Sequence, residues 1–351
     1  MSVFDHPEYD DHEEVLFVSD PAARLRAIIA VHTFAPFGVA GGGCRMIRYA
    51  TADAALTDVL RLSRAMSYKL ALFDLPAGGA KSVIIADPRV DKTEALLRAF
   101  GRAVDKLGGH YVVAEDVGTT PEDMQTIGKE TRYVVGTHTG TGSSTAAGVV
   151  EGIRAAVQAR LGKRTLDGVR VAVQGLGSVG RDVCRRLSEE GAALVVADVD
   201  PTAVGAVTSS MNATVVDAAD ILRVETDVLA PCALGGVLDA STIPRLRCKV
   251  IAGSANNQLR TAHDADLLAE REILFAPDFV LNAGGVMGAS HDGALPENAD
   301  GDAVRKLEEA DAAKIGDVVR RAFSRSENEH VTPYEAAIRM AKEKIEERRS
   351  A

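Results

Sequence analysis

Basic residues are in short supply: 351 residues carry 40 Lys and Arg against 50 Asp and Glu, a formal net charge of -10. A nucleic-acid or anionic-membrane surface needs a clustered excess of Lys and Arg, so partners of that class are excluded. An acidic balance of this kind more often keeps a metabolic enzyme soluble. Long apolar runs are missing too. None approaches the ~20 residues of a membrane-spanning helix, and the N-terminus, Met-Ser-Val-Phe-Asp-His-Pro-Glu, lacks the basic and apolar regions of a secretory signal. Cysteine is sparse: Cys44, Cys184, Cys232 and Cys248 form no C-x-x-C pair and read as reduced thiols of a cytoplasmic protein. No His and Cys recur at the short spacings of a metal site, so no metal is expected. Internal repeats and low-complexity segments are also lacking.

What is present is an ordinary globular composition, 46% hydrophobic and 26% charged, on a chain long enough for two cores. Apolar β-branched runs alternate with amphipathic stretches, which predicts an α/β fold with largely parallel sheets. Strands are expected at Val15–Val18, Leu25–Val31, Ser82–Ala86 and Tyr111–Ala114. Helices are expected from Thr51, with Leu56, Val59, Leu60 and Met66 on one face, and over Thr93–Leu107, closed by Gly108-Gly109. The Gly/Ser/Thr-rich stretch Gly136–Ser144 marks a boundary. Beyond it, strands are expected near Val169–Val173, Leu194–Ala197, Asp227–Ala230, Val250–Ala252 and Ile273–Phe275, and from Ala303 onward the tail reads as charged helix.

The strongest local motif follows the first of those later strands: Gln174-Gly175-Leu176-Gly177-Ser178-Val179-Gly180, leading into an amphipathic helix through Val183 and Leu187. In a G-x-G-x-x-G loop the first glycine makes the tight turn, the second lets backbone approach a pyrophosphate, and the third lets helix and strand pack closely. The diphosphate then rests on the helix N-terminus, where free N–H groups and the dipole favour anions. Asp198 ends the next strand, where the partner of a ribose 2′-hydroxyl belongs, and Asp200 adds to its sign. An acid there repels a 2′-phosphate, so the expected cofactor is NAD.

Two lysines stand in unusual settings. Lys69 ends the helix that starts at Thr51, and Lys81 follows Gly78-Gly79-Ala80 and precedes an apolar strand. Apolar walls disfavour an ammonium and make a lysine a usable base near neutrality. Taken singly, each also has a plainer reading, with its stem along apolar surface and its charge in water. Asp116 lies at a strand end, where α/β sheets place their chemistry. Gly41–Gly43 offer backbone N–H groups able to hold a carboxylate. Asn256-Asn257 and Asn282-Ala-Gly-Gly285 are chemical candidates or plain turns, since Asn and Gly are the default residues in turns.

These residues, taken in order, resemble the leucine/valine/phenylalanine dehydrogenase branch of the amino-acid dehydrogenases, within the glutamate dehydrogenase superfamily. The motifs are GGGCR ending at Arg45, MSYK ending at Lys69, PAGGAK ending at Lys81, AEDVGTT around Asp116, QGLGSVG, APCALGG, AGSANNQL and APDFVLNAGG. The resemblance runs from about Val15 to the C-terminal helices. It implies a substrate/catalytic and oligomerisation domain over residues 1–138, a Rossmann-type NAD-binding domain over 139–324, and C-terminal helices from about 325 to 351 packing back on the first.

It also implies roles, position by position. Lys69, with backbone at Gly42 and Gly43, holds the substrate carboxylate. Lys81 is the base that activates water, and Asp116 relays protons. Asn257 positions substrate. Asn256, Asn282 and Thr145 attend the nicotinamide end of the cofactor, and Val199, Cys232, Ala233 and Ala255 line it elsewhere. The family places the nicotinamide in a cleft whose closure excludes water. The implied activity is NAD-dependent oxidative deamination of a hydrophobic L-amino acid to its 2-oxo acid and ammonia, with the reverse amination, by a cytoplasmic homo-oligomer.

The chain departs from the family at a few places. Ala80 stands where glycine is usual and Cys44 where threonine is usual; neither removes a group the chemistry needs. Gly41, Ala114, Val286 and Ala289 match the positions that line the substrate side chain. Gly41 and Ala289 are smaller than the residues common there, so a bulkier side chain, aromatic included, is expected. Ser290-His291-Asp292 also departs, as a polar substrate contact or an exposed turn. No added lysine in these segments offers to pair a side-chain carboxylate, which disfavours a dicarboxylate substrate. Other classes remain to be separated: an NAD-linked Lys/Asp dehydrogenase acting on a hydroxyl group, an amine dehydrogenase, and a catalytically inactive NAD-binding sensor.

Overall fold

The computed structural model describes residues 2–136, 142–291 and 301–350, with side chains from 303 in the last segment. Residues 137–141 of the expected boundary stretch, and Asp292, lie outside the described residues. The chain divides into two compact units, Met1–Gly140 with Ala341–Ala351, and Thr141–Met340.

The first unit is built on strands β1 (Glu14–Asp20), β2 (Leu25–Val31), β3 (Ala40–Ile47), β4 (Gly78–Ile85) and β5 (Tyr111–Glu115) and helices α1 (Ala52–Leu72), α2 (Glu94–Asp105) and α3 (Pro121–Gly128). The sheet order is β1-β2-β4-β3-β5. The hairpin strands β1 and β2 run antiparallel, β2 is antiparallel to β4, and β4, β3 and β5 are mutually parallel. Side chains alternate across a strand, and the sheet separates two sets of apolar residues. Met46, Ile84 and Tyr111 pack on one face with Leu96 and Phe100 of α2. Ile28, Ala30 and Val83 pack on the other with Ala55, Val59 and Leu60 of α1. Threonine caps start all three helices: Thr51, Thr93 and Thr120 each accept a backbone N–H, and Thr120 forms a capping box with Asp123.

Strand β3 and helix α3 escaped the sequence reading. Three consecutive glycines make β3 look like a loop, and they also leave its alternation unreadable. Strand β4 starts at Gly78 rather than Ser82, so Lys81 is inside the strand, opposite Ala30 of β2. Gly78 and Gly79 are not a turn. A Cβ at Gly79 would lie 2.1 Å from the Ser67 backbone nitrogen, so the missing side chain is what lets α1 lie flat on β4.

The second unit comprises α4 (Gly142–Leu161), β6 (Arg170–Gln174), α5 (Ser178–Glu189), β7 (Ala193–Ala197), α6 (Pro201–Thr208), β8 (Ala213–Val215), β9 (Val228–Pro231), β10 (Val250–Ile251), α7 (Asp264–Glu270), β11 (Leu274–Phe275), α8 (Asp278–Leu281), α9 (Gly284–Ser290), α10 (Gly301–Glu329) and the first part of α11 (Pro333–Ser350). All its strand pairs are parallel, in the order β11-β10-β9-β6-β7-β8. That is the doubly wound order of dinucleotide-binding sheets, with its switch point between β6 and β9.

Helix α4 buries much of its length, and over its middle turns its polar residues are confined to a narrow stripe of Glu151, Arg154 and Gln158 among small and apolar residues. Its glycines let neighbours approach: Cβ atoms at Gly148 and Gly152 would meet Ile315 of α10 at 2.4 Å and Leu281 of α8 at 1.9 Å. This packing corrects the reading of the tail. Expected to return to the first unit at about 325, the chain returns only at Ala341, because Ile315, Val318, Val319 and Ala322 bury α10 within the second unit. In the last turns of α11, Lys344 and Arg348 pair with Asp74, and Arg348 also donates to Leu70 and Ala71 carbonyls at the end of α1.

Candidate active site

One face of the first sheet collects the chemistry. Register puts Gly41, Gly43 and Arg45 of β3, Gly79, Lys81 and Val83 of β4, and Val112 and Ala114 of β5 on the face that α1 covers. Lys81 is only 5% exposed, and its Nζ lies 3.2 Å from Oδ1 of Asp116, just past the end of β5. The other oxygen of Asp116 accepts a 2.9 Å hydrogen bond from Arg45 Nε. Arg45 Nη1 donates to both oxygens of Asp58 on α1, at 3.3 and 3.0 Å, and the Tyr49 hydroxyl donates to Asp58 Oδ2 at 2.6 Å. Lys69, in the last turn of α1, is buried.

Lys81 and Arg45 are buried while Asp116 and Asp58 are half-buried, and the charges of the cluster decide its protonation. Burial lowers Lys81 below an ordinary lysine, and Arg45 pushes the same way, while Asp116 and Asp58 oppose. Burial by itself favours a neutral Asp116, yet Lys81 and Arg45 outweigh it and hold its carboxyl well below the usual carboxylate range. The resting pair is thus a carboxylate beside a lysine disposed to give up its proton.

Glycine makes the approach possible. A Cβ on Gly43 would stand 2.6 Å from the Glu115 carbonyl oxygen, 2.9 Å from Asp116 Cβ and 3.1 Å from Lys81 Nζ. The next residue, Cys44, points into the opposite core, where burial pushes its thiol up to about 12. Gly42 gives its carbonyl to the Tyr111 hydroxyl at 2.9 Å. The Asp116 loop is tied to β3 through Thr119, whose Oγ1 donates to the Cys44 carbonyl and accepts from Asp116 N–H.

In the second unit the glycine loop sits at the carboxyl end of β6, at the switch point. Gly175 has φ +95°, a conformation that favours glycine, and its ideal Cβ would lie 2.7 Å from Ala233 Cβ. Gly177 precedes α5 with no side chain to cap it and nothing within 4 Å of its ideal Cβ, leaving the helix N-terminus open beside Ser178 and Val179. A Cβ at Gly180 would lie 1.9 Å from the Gly175 carbonyl oxygen, which is the close helix–strand packing the motif implies. Asp198, directly after β7, accepts from Leu176 N–H at 2.6 Å and Asp200 N–H at 2.8 Å. Val199 beside it is almost fully exposed.

Cys232 and Ala233 follow β9, and Ala255, Asn256 and Asn257 follow β10. Asn282 Nδ2 donates to the Ser254 carbonyl and to Asn256 Oδ1. A Cβ at Gly284 would meet the Ser144 carbonyl oxygen at 2.0 Å, which brings the start of α9 against Thr145 on α4. Gln174 Oε1, Asn257 Nδ2 and Asn282 Oδ1 are buried without a hydrogen-bond partner among the described residues. Gln258 Oε1 is a fourth such atom; buried polar atoms are almost always satisfied, so these orphans, which end β6 or follow β10 and β11, fit a polar ligand. The open helix end, the glycine cradle and these amides suit a nicotinamide dinucleotide.

Val286 and Ala289 lie one turn apart on α9, both half-buried. Ser290 donates to the Met287 carbonyl, and His291 pairs with the buried Asp311 of α10. Sequence reasoning missed the Arg45–Asp58–Tyr49 network. The available signals were a guanidinium inside a strand of small apolar residues, and Asp58 placed three after Ala55 and four before Leu62, both buried on α1.

Comparison with known proteins agrees with this geometry. The family described as "Glu/Leu/Phe/Val dehydrogenase, dimerisation domain" matches residues 12–133, and "Glutamate/Leucine/Phenylalanine/Valine dehydrogenase" matches 200–351. Leucine dehydrogenase of Geobacillus stearothermophilus is 45% identical over 359 residues, spanning 100% of this chain and 95% of that protein. Phenylalanine dehydrogenase of Caldalkalibacillus thermarum is 41% identical, spanning 99% and 95%. The crystal structure of L-tryptophan dehydrogenase from Nostoc punctiforme superposes with a TM-score of 0.76 at 41% identity, over 97% of each chain. The buried Lys–Asp pair, the doubly wound sheet with its glycine loop, and full-length similarity to three amino-acid dehydrogenases lead to one assignment: the chain belongs to the glutamate/leucine/phenylalanine/valine dehydrogenase family, oxidoreductases that use a nicotinamide cofactor on the CH–NH2 group of amino acids.

Proposed function

We propose that the chain oxidatively deaminates a bulky hydrophobic L-amino acid to its 2-oxo acid and ammonia with NAD, runs the reverse amination, and works as a homo-oligomer. The observation that carries the reading is the buried contact of Lys81 Nζ with Asp116 Oδ1 at 3.2 Å. Lys69, with the backbone of Gly42 and Gly43, holds the substrate carboxylate. Asp116, held as a carboxylate, takes a proton from the substrate ammonium, because only a neutral amine can form the iminium. A bound nicotinamide supplies the acceptor for the Cα hydride. Lys81, disposed by burial toward its free amine, takes a proton from the water that adds to the iminium carbon. Asp116 then returns its proton to the amino group, so that the carbinolamine expels ammonia rather than amide ion, and as the C–N bond breaks the Asp116 carboxylate takes the hydroxyl proton and the carbonyl of the 2-oxo acid forms. Asn257, whose buried Nδ2 has no partner among the described residues, is an available donor for positioning, and Asn256, Asn282 and Thr145 serve the carboxamide end of the cofactor.

Asp198 argues for NAD: its carboxylate is anchored on the glycine loop and would face a 2′-phosphate with like charge. Val199, Cys232, Ala233 and Ala255 border the dinucleotide in this reading. In the first unit, room for a large side chain is supported by Gly41, whose ideal Cβ meets nothing within 4 Å, together with the small Ala114; in the second, Val286 and the small Ala289 are the positions that the family resemblance assigns to the substrate side chain. Oligomerisation is supported by the family description of residues 12–133 as a dimerisation domain.

A panel of L-leucine, L-valine, L-phenylalanine and L-tryptophan with NAD or NADP tests this reading, with reduced cofactor and ammonia both measured. Stoichiometric ammonia, preference for NAD, and better turnover of the larger side chains are expected. Turnover of 2-hydroxy acids without ammonia, or a strong preference for valine, contradicts it.

A further inference from the structure

Beyond the lysine and the aspartate, the buried cluster contains a guanidinium that no step of the proposed chemistry uses. Arg45 is 7% exposed, on the same sheet face as Gly43 and Lys81. Its fork is divided: Nε donates to Asp116 Oδ2 at 2.9 Å, while Nη1 reaches Asp58 at 3.0 Å. Asp58 is in turn fixed by the Tyr49 hydroxyl at 2.6 Å. Both Asp116 oxygens are therefore assigned, Oδ2 to Arg45 and Oδ1 to Lys81. A carboxylate with one oxygen clamped cannot swing, so the position of Oδ1 is set from outside the reacting pair.

We propose that Arg45 is the positioning residue of this active site, clamping Asp116 so that one oxygen faces Lys81, with Asp58 and Tyr49 holding the clamp. The inference rests on the proposed chemistry of Lys81 and Asp116. Lysine in place of arginine cannot reproduce it, because a single ammonium on a flexible stem lacks the planar fork that spans two carboxylates. The charges around Lys81 are few enough to name. Strand β3 contributes Arg45 and, on the other face, Cys44; β5 and its following loop contribute Glu115 and Asp116. Helix α1 contributes Asp58 and Lys69, with Tyr49 just before it, and β2 presents Ile28 and Ala30, with His32 beyond its end. Among those acting on Lys81, Arg45 lowers its proton affinity and Asp58 raises it.

Those opposite signs give a test that a merely structural role does not pass. Wild type, Arg45→Lys, Arg45→Met and Asp58→Asn are assayed for oxidative deamination across pH, with circular dichroism and thermal unfolding followed as a check on folding. Arg45→Lys should lose about 10- to 100-fold in kcat, as misplacement of a reacting group does, with KM and the acid limb of kcat/KM little changed. In Arg45→Met the acid limb should move to higher pH, since Lys81 then holds its proton more tightly. In Asp58→Asn it should move to lower pH. If Arg45→Met fails to fold, the other two variants decide. Wild-type kcat in Arg45→Lys, or an acid limb that does not move to lower pH in Asp58→Asn, overturns the inference while leaving the proposed function standing. Absence of amino-acid turnover by the wild-type chain overturns the proposed function and this inference with it.

Discussion

Replacing Gly43 by alanine adds one methyl group where β3 faces both Asp116 and Lys81. That carbon would stand 2.6 Å from the Glu115 carbonyl oxygen, 2.9 Å from Asp116 Cβ and 3.1 Å from Lys81 Nζ. Relaxed contacts between carbons are roughly 3.5–4.0 Å, so Asp116 and Lys81 must each retreat by roughly half an ångström to one ångström. Two of the three obstacles are a backbone carbonyl and a Cβ close to the main chain, which do not swing away as the end of a long side chain would. A displacement of about 1 Å at reacting groups costs about 100-fold in rate, and overpacking a buried site costs about 1–3 kcal/mol of stability. Steady-state deamination by Gly43→Ala, with thermal unfolding and NAD affinity measured on the same sample, is the assay. The expected result is a fall in kcat/KM of about 100-fold in a protein that still folds and still binds NAD, because the glycine loop belongs to the other compact unit. Turnover within twofold of wild type would refute the reasoning, since no side chain would then be excluded at residue 43.

Other perturbations address separate parts of the account. Asp198→Ala should weaken NAD and narrow its advantage over NADP, checked by paired titrations; an unchanged ratio contradicts the assignment of that carboxylate. Gly180→Ala places a methyl 1.9 Å from the Gly175 carbonyl oxygen, so NAD affinity should fall with stability; unaltered binding would mean the loop is not the cradle. Gly41→Leu should fold, since its Cβ points into open space, and should shift preference toward smaller side chains by about 10-fold or more in relative kcat/KM. Equal profiles for mutant and wild type would remove Gly41 from the pocket. In the deamination direction activity should fall as pH drops and Lys81 takes up a proton, with the limb set below the range of a free lysine because burial lowers that group. A limb at the ordinary lysine value contradicts a buried base.

Periodicity and motif spacing revealed five of the second unit's six strands, the helix after the glycine loop and the helical tail, but not β8 or the helices α4, α6, α7, α8 and α9. The QGLGSVG loop, the acid at Asp198 and the strands around them could be read directly. Helix α4 was not read: its start adjoins the Gly/Ser/Thr-rich boundary stretch, and its polar stripe of Glu151, Arg154 and Gln158 is narrow. In the first unit the difficulty was glycine itself. Gly41–Gly43 and Gly78-Gly79 look like turns by composition, yet they are strand residues; at Gly42, Gly43, Gly78 and Gly79 another chain segment or a charged group occupies the space of a side chain, while Gly41 faces open space. Lys81 and Asp116 were legible as a pair only through the family resemblance, since their proximity is made by a crossover between parallel strands. Arg45, Asp58 and Tyr49 were illegible for the same reason: three residues scattered over β3, the connection after it and α1 are joined only by the packing of that helix on the sheet. The late return of the tail to the first unit reflects small residues on α4, whose effect is steric and leaves no periodic trace.

Turnover by Lys81→Ala tests the central claim most directly. Loss of a positioned general base costs about 10²- to 10⁴-fold, and an added small primary amine should restore part of the rate by occupying the space the side chain vacates. A folded Lys81→Ala protein that deaminates amino acids at the wild-type rate would show that the buried ammonium beside Asp116 plays no part in the chemistry.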